Sequence, residues 1–141
     1  RDKARYPQRI HDRSGCDDNI LKTRTAILVE GQGDVWRAFE AGLNMTVGIF
    51  GTALSEDQLI LLESSGALNI VILTDYDEAG NKAAESIIKK CGRRFNYIRP
   101  SLEDWFEANN VPMKQRDLGR MTNQDIEQEV LPYLPFIKEK E

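Results

Sequence analysis

Asn69-Ile70-Val71-Ile72-Leu73-Thr74-Asp75-Tyr76-Asp77-Glu78-Ala79-Gly80 is the stretch on which the fold turns. Its first part places four apolar residues in a row, Ile70 to Leu73, three of them β-branched, and so has no polar face. A strand that is apolar on both sides belongs in the middle of a parallel sheet, covered above and below by helices. Its second part turns abruptly acidic. From Asp77 or Glu78 to Cys91 the pattern is helical, with acidic residues in the first turn and Lys89 and Lys90 in the last, which complements the helix dipole. Gly92 stops that helix.

Upstream, the same arrangement occurs once more. Thr25 to Val29 is a compact apolar run, and Glu30-Gly31-Gln32-Gly33-Asp34 follows it. A helix is predicted from about Gly33 to Ala41, with Val35, Ala38 and Phe39 on one face and Gly42 as its stop. Between the two acidic stretches, Met45 to Phe50 reads as a short strand closed by Gly51-Thr52. Ser55-x-x-Gln58 then has the form of a capping box for a helix carrying Leu59, Leu61 and Leu62 and ending near Ser65-Gly66. Downstream, Phe95 to Ile98 is a fourth strand stopped at Arg99-Pro100. Short parallel strands need helical crossovers, which are overwhelmingly right-handed, so the fold class is α/β: about four parallel strands in one sheet flanked by helices. Beyond Pro100 the expectation is a short helix over 102–109, a loop over 112–120 and a last helix over 123–131 capped by Thr122. Residues 25–131 make one domain, 132–141 a frayed exit, and 1–24 a basic tether or the remnant of a preceding subdomain.

Composition narrows the class. At 141 residues with 40% hydrophobic and 30% charged content, the chain can bury a core without staples, and no apolar run approaches a membrane span. Cys16, Cys91 and His11 cannot supply a four-ligand zinc site, and the thiols read as ordinary ones in a reducing compartment. The start, Arg1-Asp2-Lys3-Ala4-Arg5, has neither an initiator Met nor a signal-peptide core, and the chain is read as a piece of something longer. The net charge of -4 is unevenly spread: residues 1–24 hold seven Lys or Arg against four Asp, so a basic arm would stand beside an acidic body. That arm could meet a polyanion, or be a solvated end.

The carboxylates carry the chemistry. If the two acidic stretches leave neighbouring parallel strands, Glu30, Asp34, Asp75 and Asp77 meet in the crevice beyond the strands' carboxyl ends. Clustered carboxylates repel one another unless a cation lies between them, and hard oxygen ligands suit Mg²⁺ or Mn²⁺, ions that serve phosphoryl transfer. Asp34 has a competing reading as a helix cap, and so has one of the pair Asp75 and Asp77. Glu30 is a poor cap, and Gly31 with Gly33 would let the backbone approach a ligand closely. Gly51-Thr52 is either a phosphate-approach loop or a plain turn. Trp36, Phe39, Trp105 and Phe106, at helical spacing, are read as core or interface in preference to base-stacking platforms.

These motifs resemble the Toprim domain, shared by DnaG-type primases, type IA and type II topoisomerases and some nucleases and recombination proteins. Its signature is a Glu-Gly turn after the first strand and an Asp-x-Asp after the third, here Glu30-Gly31 and Asp75-x-Asp77. Val29 to Val35, Gly48 to Ser55 with Gln58 and Leu61-Leu62, and Asp75 to Gly80 with Ala83-Ala84 are similar to DnaG-type primases, including phage primases and primase-helicases. The likeness covers residues 25–98 and extends to Arg116-Asp117-Leu118-Gly119-Arg120-Met121-Thr122. There Asp117 stands for a further acidic residue of the family, with Leu118 in place of the usual Pro, although Glu103-Asp104 lies nearer the strand. Gln32 and Gly33 replace an aromatic and another large residue.

What the resemblance implies is a catalytic Toprim domain that makes short RNA primers on a single-stranded DNA template from ribonucleoside triphosphates. It would act in the cytoplasm of a bacterial cell or phage-infected host, with a replicative helicase as a further partner. Glu30, Asp75 and Asp77 would be catalytic, Glu30 as general acid/base; Gly31, Asp34, Gly51 and Thr52 would line the cofactor site. Glu30, Asp34, Asp75, Asp77 and Asp117 would ligate Mg²⁺ or Mn²⁺, while Arg93, Arg94, Arg99 and Arg116 are candidates for phosphate contacts. The alternatives are a Toprim nuclease, in which the same ions activate water, and a nucleic-acid-binding module without catalysis.

Overall fold

The computed structural model describes residues 16–51 and 53–134. Thr52 and most of the basic arm therefore lie outside the described residues, as do His11 and residues 135–141. In chain order the elements are α1 (Cys16–Thr23), β1 (Thr25–Val29), α2 (Gln32–Glu40), β2 (Thr46–Gly48), α3 (Glu56–Ser64), β3 (Asn69–Ile72), α4 (Glu78–Cys91), β4 (Asn96–Ile98), α5 (Glu103–Ala108) and α6 (Asn123–Glu129). Single 3₁₀ turns at Met113–Gln115, Leu118–Arg120 and Leu131–Tyr133 complete the chain.

All strand pairs are parallel, in the order β2-β1-β3-β4. The apolar runs dictate who is central. Every residue of β1 is buried whichever way it points, as are Ile70, Val71 and Ile72 of β3, so both faces of these strands are covered. Their register pairs Thr25 with Asn69 and Leu28 with Ile72, which sets the two carboxyl ends side by side. By contrast β4 is an edge strand whose three residues are all exposed.

Helix ends follow local chemistry. Ser55 caps α3 reciprocally: its Oγ accepts from the Gln58 N–H at 3.1 Å and its own N–H donates to Gln58 Oε1 at 2.9 Å. Thr122 and Asp125 do the same for α6 at 3.1 and 3.0 Å. Gly42, Gly66 and Gly92, each following a helix, have φ of +90°, +93° and +42°, where a side chain would be strained.

Two segments depart from the sequence reading. Residues 16–23, expected as part of a basic tether or the remnant of a preceding subdomain, form α1, whose Ile20 and Thr23 are buried; the segment is too short to show a hydrophobic period but long enough to plug the core. Leu134, expected in a frayed exit, is fully buried, so the chain is held to the core through that residue. Of the aromatic residues, Phe106 is fully buried and Phe39 and Trp105 pack partly against the core, whereas Trp36 is 60% exposed and is no core residue. Cys91 is a buried free thiol, pushed by burial up to about 11. Among the described residues no helix is long and apolar enough to cross a membrane.

Candidate active site

The chain changes direction across the sheet between β1 and β3. From β1 it passes to the edge strand β2, whereas β3 lies on the other side of β1 and leads on to β4. Ligands of open α/β sheets bind at such a switch, in the crevice beyond the strands' carboxyl ends. Glu30 follows β1 directly and Asp75 stands three residues beyond β3. The two are joined: the Asp75 N–H donates to Glu30 Oε2 at 2.9 Å.

Asp34 lies in the first turn of α2 and accepts from the Gly31 N–H at 3.3 Å, which folds its carboxylate back over the Glu30-Gly31 turn. Asp117 arrives from far along the chain. The Tyr76 N–H, between the two aspartates, donates to the Arg116 carbonyl at 2.7 Å, so residues 116 and 117 are stitched to the acidic loop by backbone alone. Arg37 of α2 fastens the same loop from the other side, donating from Nε and Nη2 to the Met121 carbonyl at 3.0 and 2.7 Å. Asp77 is the N-cap of α4 and accepts from the Gly80 N–H at 2.7 Å.

Electrostatics record this convergence. Burial, opposed by the hydrogen bond from Gly31 and helped by repulsion from Asp117 and Glu30, raises Asp34 to about 6. Burial, then Glu30, Asp34, Asp117 and Asp77 in turn, raise Asp75 to about 7. Near neutral pH these carboxyls thus hold protons more readily than ordinary aspartates, the condition that a cation relieves. Among the described residues, however, no three acidic, His or Cys side chains lie close enough together to enclose one ion as they stand. The donor set still fits a hard divalent ion. Glu30, Asp34, Asp77 and Asp117 each commit one oxygen to a backbone N–H and keep the other, and Asp75 makes no side-chain hydrogen bond among the described residues. Mg²⁺ keeps several waters and needs only one or two direct carboxylates, so a loose acidic ring suits it better than a closed cage.

The remaining sequence candidates are distributed unevenly. Gly51 follows β2 by three residues and lies beside this crevice, since the preceding Phe50 N–H donates to the Glu30 carbonyl at 2.8 Å. Glu103 and Asp104, at the start of α5, do not act on Asp34 or Asp75. Among the arginines, Arg93 is exposed, while Arg94 pairs with Glu56 and Glu63 on the helical surface at 3.3 and 3.8 Å. Arg116 donates from Nε to the Val111 carbonyl at 3.2 Å. Arg99 directs both Nη atoms to protein oxygens of residues 72–75 and Asn81, which gives these atoms a structural role in place of a free phosphate-binding one.

The chain belongs to the Toprim domain family, whose model matches residues 24–99. Within that family its relatives are primases. It is 43% identical over 72 residues to a DNA primase of Chlamydia pneumoniae, covering 51% of this chain and 12% of that protein. To a DNA primase of Aquifex aeolicus it is 46% identical over 63 residues, covering 45% and 12%. Among solved structures, the zinc-binding and RNA polymerase domains of the Aquifex aeolicus primase align with a TM-score of 0.56 at 32% identity, over 73% of this chain and 27% of that one. The RNA polymerase domain of the Mycobacterium tuberculosis primase aligns at 0.52 and 25% identity, over 60% and 30%. The chain therefore spans only about an eighth of the length of the curated relatives it matches.

Proposed function

We propose that this chain is the catalytic Toprim domain of a DnaG-type primase, joining ribonucleoside triphosphates into a short RNA primer on single-stranded DNA. The observation that carries the proposal is the convergence of Glu30, Asp34, Asp75 and Asp117 at the β1–β3 switch point, with Asp34 and Asp75 raised to about 6 and 7. Glu30, Asp34, Asp75, Asp77 and Asp117 would hold Mg²⁺ or Mn²⁺. When bound, such an ion supplies charge neutralisation at the triphosphate and acidifies the attacking 3′ hydroxyl. Asp75, free of side-chain hydrogen bonds, is the primary ligand in this reading. Glu30 keeps Oε1 available to take the hydroxyl proton while Oε2 holds the Asp75 backbone still. Gly31 would let the β1 turn lie close against a phosphate, and Gly51 would border the same pocket. A replicative helicase is the proposed partner and the cytoplasm the proposed place of action.

Two measurements test this. Mn²⁺ titration of the chain, followed by electron paramagnetic resonance, is expected to show binding that Asp75→Asn and Glu30→Gln each weaken about tenfold or more. No binding near either residue would sink the metal assignment. The 141 residues alone are expected to prime weakly or not at all, because the relatives use far more chain. A chimera in which residues 24–99 replace the corresponding part of the Aquifex aeolicus primase should therefore make primer from labelled ribonucleotides, and its Asp75→Asn version should not. Cleavage of the DNA without nucleotides would point to a nuclease instead. DNA binding that is indifferent to Asp75→Asn and Asp77→Asn would point to a non-catalytic module.

A further inference from the structure

Arg99 occupies a position that the sheet leaves incomplete. The β3–β4 ladder ends where Val71 pairs with Ile98, and the chain after Ile98 runs into Pro100, which has no N–H to donate. Yet the chain runs on past the end of β3 with the Leu73 N–H still bonded to the Leu28 carbonyl of β1, so the carbonyls of Ile72 and Thr74, two residues apart, face the side where β4 would have been. Arg99 supplies the missing donors from its side chain. Nη1 lies 3.3 Å from the Ile72 carbonyl, 3.2 Å from that of Thr74 and 3.0 Å from Thr74 Oγ1. Nη2 donates to the Asp75 carbonyl at 3.0 Å and to Asn81 Oδ1, on the first turns of α4, at 2.8 Å. Its Cζ sits 3.9 Å from the centroid of the Tyr76 ring, which is itself fixed by its hydroxyl donating to the Pro100 carbonyl at 2.6 Å.

We propose that Arg99 is a positioning residue for the acidic site: its planar fork holds the backbone of residues 72–75 to the start of α4 and thereby sets where Asp75 and Asp77 present their carboxylates. The geometry favours the fork over the charge alone. Five contacts to oxygens in two directions, plus a stacked ring, use the shape of a guanidinium, which an ammonium cannot reproduce. The positive charge is acted on by Tyr76 and Glu103 and, among the site's carboxylates, by Glu30 and Asp75. It touches none of their oxygens in the described structure, so it leaves their lone pairs to a ligand.

This inference rests on the reading that Asp75 and Asp77 hold a divalent ion, and the test separates the two. In the full 141-residue chain, Arg99→Lys keeps the charge and loses the fork, Arg99→Gln loses both, and Asn81→Ala removes one anchor with less risk to folding. Mn²⁺ affinity, read by electron paramagnetic resonance on protein whose circular dichroism matches the parent, is expected to fall about tenfold in both Arg99 variants and by less in Asn81→Ala. Lys89→Gln, exposed on the last turn of α4, should leave it unchanged. Without any metal, amide hydrogen exchange at Asp75 and Tyr76 should accelerate in the Arg99 variants and in Asn81→Ala. Parent-like exchange at those amides, or Mn²⁺ affinity in Arg99→Lys within twofold of the parent, would overturn the proposal. A parent chain that binds no Mn²⁺ overturns the metal reading, and the exchange arm still decides whether Arg99 holds the loop.

Discussion

The two acidic corners of this domain are built on opposite plans. After β3 the chain is gripped from every side. Gly80 packs so tightly that a Cβ on it would lie 2.0 Å from the Asp75 carbonyl oxygen, Thr74 Oγ1 donates to the Gly80 carbonyl at 2.8 Å, and Tyr76 is buried between Arg99 and Phe106. After β1 the turn is open. A Cβ on Gly33 would meet nothing within 4 Å, and one on Gly31 only Asp34 Oδ2 at 4.0 Å. Two corners with similar acid content therefore differ in packing: the Asp75-x-Asp77 corner has no room for an added methyl group at Gly80, and the Glu30 corner has room for one at Gly31 and Gly33.

Substitution at the glycines is the sharpest way to break that contrast. Gly80→Ala should cost about 3 kcal/mol or more, because the methyl group meets backbone and not a movable side chain, and should abolish Mn²⁺ binding along with it. Thermal unfolding and titration check both; a stable, metal-binding Gly80→Ala would mean that the β3 corner is not tightly packed.

A smaller effect is expected from pH. Asp75 and Asp34, raised to about 7 and 6, stabilise the metal-free fold fully below the ordinary aspartate range near 3.8, and that contribution is lost as pH rises through 6 and 7. The metal-free parent should thus lose Tm relative to Asp75→Asn as pH is raised from about 5 to about 8. Saturating Mn²⁺ at the upper end should recover the loss in the parent alone. A Tm difference that stays flat with pH would show that neither burial nor the neighbouring carboxylates disfavour the charged form of Asp75 in the fold.

The smallest change belongs to the open corner. Gly33→Ala should be neutral to slightly stabilising, by about 0.5–1 kcal/mol, since it adds a helix-favouring residue in free space within α2. Denaturant unfolding measures it, and a loss above about 1 kcal/mol would show that the β1 turn is as tightly built as its neighbour.

Much of this was legible in the residues. Ile70 to Leu73 announced a central strand because burial on both faces leaves no place for polar side chains, Thr25 to Val29 announced a compact buried one, and Ser55-x-x-Gln58 announced a cap that the structure contains. Other features were illegible for physical reasons. Asp77 turned out to cap α4, which a spacing of two cannot distinguish from ligation. Trp36 sits at helical spacing yet is exposed, because periodicity names a face without saying whether anything covers it. The segment 16–23 is helical because Ile20 finds the core, a tertiary reason absent from its own composition.

By itself the sequence determined the strands, the helices between them and the fact that each acidic stretch sits where a strand ends, since these depend on short-range periodicity and turn chemistry. Only the tertiary structure decided that β1 and β3 are neighbours and that Asp117 joins them through the Arg116 carbonyl. It alone turned Arg99 inward as a substitute for ladder hydrogen bonds that Pro100 cannot make. Those outcomes depend on which backbone groups are left without partners once the sheet has formed, and no local pattern encodes that.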